Sequence, residues 1–126
     1  MPPPRPTVRI RIVVAPGAAI GPGKADLLAG IETHGSIAAA GRAMGMSYQR
    51  AWSLIDELNR MFGKPLVSVS RGGSTRGGAT LTDTGKTLLA RYRSIEAATA
   101  NLCKKELAEI QQLATGLQES DISRHR

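Results

Sequence analysis

The chain has 126 residues, of which 41% are apolar and 21% charged; this suits one globular domain with a modest core and room for an appended helix. Aromatic residues make up 3%, too few for a fold that stacks nucleobases on several exposed rings, and the lone Cys103 excludes an intrachain disulfide. The net charge is +7, a balance that attracts polyanions such as nucleic acid.

That charge is unevenly placed. Residues 1–24 carry four basic groups and no acid, and residues 64–94 carry six basic groups and one acid, whereas 25–63 and 95–126 each come to −1. The start, MPPPRP, has no signal-peptide pattern, and no stretch approaches the roughly 20 apolar residues that a membrane helix needs. A reducing, cytoplasmic setting without membrane contact is expected.

Residues 1–23 read as an N-terminal arm with a short strand. The first seven residues are a Pro-rich lead-in, and Val8 to Val14 alternate apolar residues with Arg9 and Arg11, as in a half-buried strand. The two arginines read as its solvated edge. APGAAIGPG, residues 15–23, reads as a loop, and the following segment as a helix with Leu27, Leu28 and Ile31 inward, stopped by Gly35.

Residues 35–63 carry the strongest pattern. Ser36 is a good N-cap for a small apolar helix through Ile37, Ala40 and Met44, and Gly45 suits its end. Ser47 caps a second helix, in which Ala51, Leu54, Ile55, Leu58, Met61 and Phe62 recur at the spacing of one buried face. Gln49, Arg50, Ser53, Asp56, Glu57 and Arg60 fall away from that face. Two capped helices around a glycine turn form a helix-turn-helix, whose second helix fits a DNA major groove. A helical hairpin that only packs carries the same marks, so the surroundings have to decide.

KPLVSVS and ATLT, joined by RGGSTRGG, read as a β-hairpin. Directly behind a helix-turn-helix, such a hairpin is a wing, and the whole of 24–82 reads as a winged helix-turn-helix. Arg71, Ser74, Thr75 and Arg76 in its loop are candidate contacts to phosphate or a narrow minor groove. Thr82 then caps a long helix, with Asp83 in its first turn and the helix expected over 83–115. Leu88, Tyr92, Ile95, Leu102, Ile110 and Leu113 lie on or near one stripe of it. At about 1.5 Å per residue that helix runs to roughly 50 Å. A small domain cannot cover such a length, so the stripe is expected to dimerise with a second copy; the competing reading folds a shorter helix back on its own domain. Residues 116–126 are polar and expected to be disordered. The fold class is thus mainly α with a small β-wing and a long C-terminal dimerisation helix.

GSIAAAGRAMGMS, the helix through Leu58, and LTDTGKTLL together resemble the winged helix-turn-helix of LysR-type regulators. MSYQRAWSLIDELN and the glycine-rich wing are similar to the N-terminal domain of the ModE-type, molybdate-responsive regulators. The resemblance implies a homodimer that binds double-stranded DNA as a transcriptional regulator, with Ser47, Tyr48, Gln49, Arg50 and Ser53 facing the groove. Oxyanion-binding modules of that family would begin where this chain ends, so a stand-alone domain without direct molybdate binding is expected.

Among the candidates for DNA contact, Arg50 can span two acceptors on a guanine edge and Gln49 can do the same for adenine, or either can touch phosphate. Ser36 and Ser47 stand at helix N-termini, where phosphate is welcome. Trp52 reads as packing, and Tyr48 suits either role. No catalytic residue, metal site or cofactor is expected. Gly85-Lys86-Thr87 looks like the end of a phosphate-binding loop but has Thr80 where that motif needs Gly, and His34, Cys103 and His125 are scattered. The alternatives are a winged-helix protein-interaction module and a non-specific DNA-binding protein.

Overall fold

The computed structural model describes residues 6–70 and 77–114. Its contacts fall into two units, Arg9–Ser94 and a second that holds Ile95 onward with the residues up to Val8.

The first unit opens with an antiparallel hairpin of β1 (Ile12–Ala15) and β2 (Ala18–Ile20), which pairs Ile12 with Ile20 and bulges between Val13 and Ala15. This differs from the expectation in two ways. The strand begins later than Val8, and residues 15–23 are not all loop, because Pro16 and Gly17 turn the chain back on itself. The hairpin also serves the core: Ala19 and Ile20 are buried.

Helix α1 (Pro22–His34) starts on a proline, whose missing amide hydrogen costs nothing in a first helical turn. Ala25, Leu27, Leu28 and Ile31 form its buried side. Gly35 ends it with φ +77°, and the Gly35 amide donates to the Ile31 carbonyl at 2.8 Å. The carbonyl of Gly35 then accepts from the Ala79 amide at 2.7 Å, which ties the end of α1 to the wing.

Helices α2 (Ile37–Ala43) and α3 (Tyr48–Phe62) follow, capped as the sequence predicts: Ser36 Oγ accepts from the Ala39 amide and Ser47 Oγ from the Arg50 amide, both at 3.0 Å. Gly45 takes φ +71° in the turn between them, a conformation that costs other residues more. The two helices approach closely at Gly41, where an added Cβ would stand 3.2 Å from that of Ala51. Small residues at this crossing set the angle at which α3 leaves the domain.

Strands β3 (Val67–Ser70) and β4 (Gly78–Leu81) pair antiparallel, from Val67 with Leu81 to Ser70 with Gly78. Asn59 Oδ1 fixes the entry to this wing by accepting from the Leu66 amide at 2.9 Å. At the exit, the Thr82 hydroxyl donates to the Pro65 carbonyl at 2.8 Å and accepts from the Gly85 amide at 3.1 Å, so it caps the next helix and closes the wing's base together. Gly85 is where α4 (Asp83–Leu102) passes over the wing, since a Cβ there would lie 2.2 Å from the Leu66 carbonyl oxygen. The glycine of that Gly-Lys-Thr run therefore answers a packing need.

The first turns of α4 belong to the Arg9–Ser94 core. Tyr92, expected on the dimer stripe, is instead 1% exposed, and its hydroxyl donates to the Ile10 carbonyl at 2.6 Å. Leu88 is partly buried against the same core. Arg93 pairs with Asp26 at 2.8 Å and so links α4 to α1.

In the second unit the expected continuous helix is interrupted at Cys103, where α5 (Lys104–Leu113) begins. Thr99, Asn101 and Cys103 are weak helix formers in succession, and the Thr99 hydroxyl donates to the Ile95 carbonyl at 2.7 Å, a local bond that bends helices. Backbone bonding resumes at once, with Leu107 donating to Cys103 at 2.9 Å. Ile95, Leu102, Ile110 and Leu113 are all exposed, Leu102 by 84% and Leu113 by 87%. Residues 116–126 lie outside the described residues.

Candidate nucleic-acid interface

Helix α3 organises the site. Its side chains turn by about 100° per residue, so each residue's bearing follows from its number. Ala51, Leu54, Ile55 and Leu58 are buried, which settles the inward direction. Gln49, Ser53, Asp56 and Arg60 point the opposite way and are exposed, as are Ser47, Tyr48 and Arg50 in the first turn. Ser47 and Ser36 use their oxygens as caps, but each keeps a hydroxyl hydrogen to donate.

A cleft runs along each flank of α3. On the wing side one of ≈ 590 Å³ is lined by Ser36, Arg42, Tyr48, Trp52, Val69 and Gly78. Tyr48 and Trp52 meet edge to face there, with ring centroids 6.2 Å apart, and Trp52 also packs against the core. The N-terminal part of α3 thus splits: Gln49 and Ser53 face outward, while Tyr48 leans toward the wing. On the other flank a cleft of ≈ 810 Å³ separates α3 from the β1–β2 hairpin, and Arg11, Lys24, Arg50, Glu57 and Arg60 contribute to its walls. Lys24 Nζ pairs with Glu57 at 3.2 Å and donates to the Ala19 carbonyl at 2.8 Å.

Arg71, Ser74, Thr75 and Arg76 lie outside the described residues; the strand ends that carry their loop, Ser70 and Gly78, are joined by a Gly78 amide to Ser70 Oγ bond of 3.3 Å. Arg42 and Arg60 also line these clefts, although neither is among the contact candidates that the sequence pattern offers. Their signal was present, since each is a charged residue on the solvent side of one of the two helices. What the sequence lacked was the bearing of α2 and of the N-terminal hairpin relative to α3. Among the described residues no group of three or more His, Cys, Asp or Glu could hold a metal ion, and no helix is long and apolar enough to cross a membrane.

A helix-turn-helix whose second helix is exposed along its polar side, followed by an antiparallel hairpin, defines a winged helix-turn-helix domain. Residues 25–86 match the bacterial regulatory helix-turn-helix proteins of the lysR family, so that segment is a LysR-type helix-turn-helix domain. In sequence it is ModE-like. The chain is 43% identical over 86 residues to the molybdenum-pterin-binding protein MopB of Rhodobacter capsulatus, an alignment covering 68% of this chain and 32% of that protein. Identity to the molybdenum transport protein ModE of Azotobacter vinelandii is 40% over 80 residues, covering 64% and 30%. To the DNA-binding transcriptional dual regulator ModE of Escherichia coli K12 it is 38% over 71 residues, covering 56% and 27%. The chain therefore spans about a third of the length of these relatives, none of which is described as an enzyme. The fold is shared with the crystal structure of VV2_1132, a LysR family transcriptional regulator, at a TM-score of 0.52 and 18% identity, over 75% of this chain and 30% of that one.

Proposed function

We propose that this protein is a transcriptional regulator that binds double-stranded DNA as a homodimer, with α3 in the major groove and the wing on the adjacent backbone or minor groove. The observation that carries this reading is the division of α3: one side is wholly taken up by the core, while Gln49, Arg50 and Ser53 stand exposed on the rest. A helix about 10–12 Å across matches a major groove about 12 Å wide. Gln49 and Arg50 are then the candidates for base edges or the flanking phosphates, and Ser36, Ser47 and Tyr48 contact the backbone. Arg71, Ser74, Thr75 and Arg76 are assigned to the wing's contacts on sequence alone. The description of the Escherichia coli relative as a DNA-binding regulator supports the same assignment.

Self-association is assigned to Ile95, Leu102, Ile110 and Leu113, whose apolar side chains are exposed. Leu88 and Tyr92, also expected on that stripe, are taken up by the core of the Arg9–Ser94 unit instead. A two-fold pair would present two α3 helices to successive turns of one duplex.

The test is a mobility shift with duplex DNA at low and moderate salt, first with random sequence and then with a selected operator. Binding that falls steeply with salt is expected, because phosphate contacts release counterions. Arg50→Ala should weaken operator binding by about 1–3 kcal/mol while leaving the thermal transition in place. Salt-insensitive binding, or none, would instead favour a protein-interaction module.

A further inference from the structure

The cleft between the β1–β2 hairpin and α3 shares only Arg50 with the contacts assigned so far, yet four basic side chains line it. Arg11 approaches it from β1's leading edge, with its Cγ 3.9 Å from the position a Cβ would take on Gly21. Arg50 and Arg60 approach from α3, and Lys24 from α1. Glu57 is the one acid in the lining, and Lys24 already holds it at 3.2 Å. Arg11, Arg50 and Arg60 have no carboxylate partner among the described residues; Arg60 only donates through Nε to the Asp56 carbonyl at 3.4 Å. Three guanidinium groups without a carboxylate partner among the described residues thus remain around one open cleft.

Its position decides what it can hold. Arg50, Leu54, Glu57 and Met61 mark the cleft's flank of α3, whereas Tyr48 and Trp52 mark the wing's flank. At about 100° per residue these flanks lie on roughly opposite sides of the helix. A helix that fills a major groove has one strand's backbone along each side. The wing meets one. From Arg50 to Arg60 the helix rises about 15 Å, enough to follow several phosphates of the other.

We propose that this cleft seats the sugar-phosphate backbone of the second strand, gripped by Arg11, Arg50 and Arg60, so that the N-terminal hairpin acts as a second clamp opposite the wing. The inference rests on α3 entering the groove. Arg11, which the sequence presents as a solvated strand edge, thereby becomes a phosphate ligand, and the pair Lys24–Glu57 holds the cleft open by tying α1 to α3.

Equilibrium binding of the full chain to one operator duplex across a salt series tests this, with Arg11→Ala, Arg60→Ala and Arg9→Ala compared with wild type. Arg9→Ala removes the same charge from the same segment but lies outside the cleft. Arg11→Ala and Arg60→Ala should each weaken binding several-fold and lower the slope of log K against log salt by about 0.9, while Arg9→Ala stays within two-fold of wild type, all with unchanged melting. If wild type binds steeply but Arg11→Ala behaves like Arg9→Ala, the clamp is overturned and the groove reading stands. Failure of wild type to bind overturns both. Millimolar inorganic phosphate at matched ionic strength should compete no better than chloride; strong competition would make the cleft a small-anion site and also overturn the clamp.

Discussion

The helix-turn-helix and the segment after Ser94 are both amphipathic helices, yet their apolar faces have opposite fates. In α3, Ala51, Leu54, Ile55 and Leu58 are all buried by their own chain. In α5 no residue is buried, and Leu113 is 87% exposed. Hydrophobic periodicity is similar in kind; cover is what differs. The first region owes its shape to packing within the unit, whereas the second carries apolar area whose burial would contribute about 25 cal/mol per Å² only if something met it.

The largest test of that contrast lies in the core. Leu58→Ala should cost about 2–5 kcal/mol, because a fully buried leucine leaves a cavity that its neighbours fill only partly. Denaturant unfolding reads this as a lower midpoint. The matching change in the second region, Leu113→Ala, should alter the unfolding of the Arg9–Ser94 unit by less than about 0.5 kcal/mol, as for other exposed sites. Equal losses would erase the distinction between the two regions.

Gly85→Ala ranks next, at about 1–3 kcal/mol. The added methyl meets the Leu66 carbonyl oxygen, a backbone atom, so α4 has to shift and strain the Thr82 bonds to Pro65 and Leu66. Calorimetry would show the lowered transition, and a wild-type melting temperature would mean the close approach is not real. Ser47→Ala should cost about 1 kcal/mol by leaving the Arg50 amide without its acceptor; amide exchange in the first turn of α3 should rise correspondingly. Smallest in stability, though not in assembly, is Leu102→Asp. It should leave the melting of the first unit within about 0.5 kcal/mol but shift sedimentation from dimer toward monomer. An unchanged sedimentation profile would remove Leu102 from the self-association surface.

The features that were legible in the sequence are those that act over a few residues. The caps Ser36, Ser47 and Thr82, the turn at Gly45, the buried face of α3 and a β-hairpin directly behind it all appear where the pattern placed them. For the candidate site, the exposed first turn of α3 was legible for the same reason, since periodicity fixes what faces away from a buried stripe. The hairpin β1–β2 was not, because Ala18–Ile20 is only three residues long and offers no alternation to read until its partner is known. Nor did the stripe along 83–113 reveal that Tyr92 is spent inside the unit while Leu102 is left outside.

The sequence alone determined where α2 and α3 begin and end and which side of each is apolar, because caps, propensities and periodicity are settled between near neighbours in the chain. The tertiary structure decided which apolar stripe finds cover, why Gly85 has to be a glycine, and which arginines share a cleft with α3. Those outcomes depend on contacts between segments far apart in sequence, such as Tyr92 with Ile10 and Lys24 with Glu57, and no local pattern encodes the meeting of two distant surfaces.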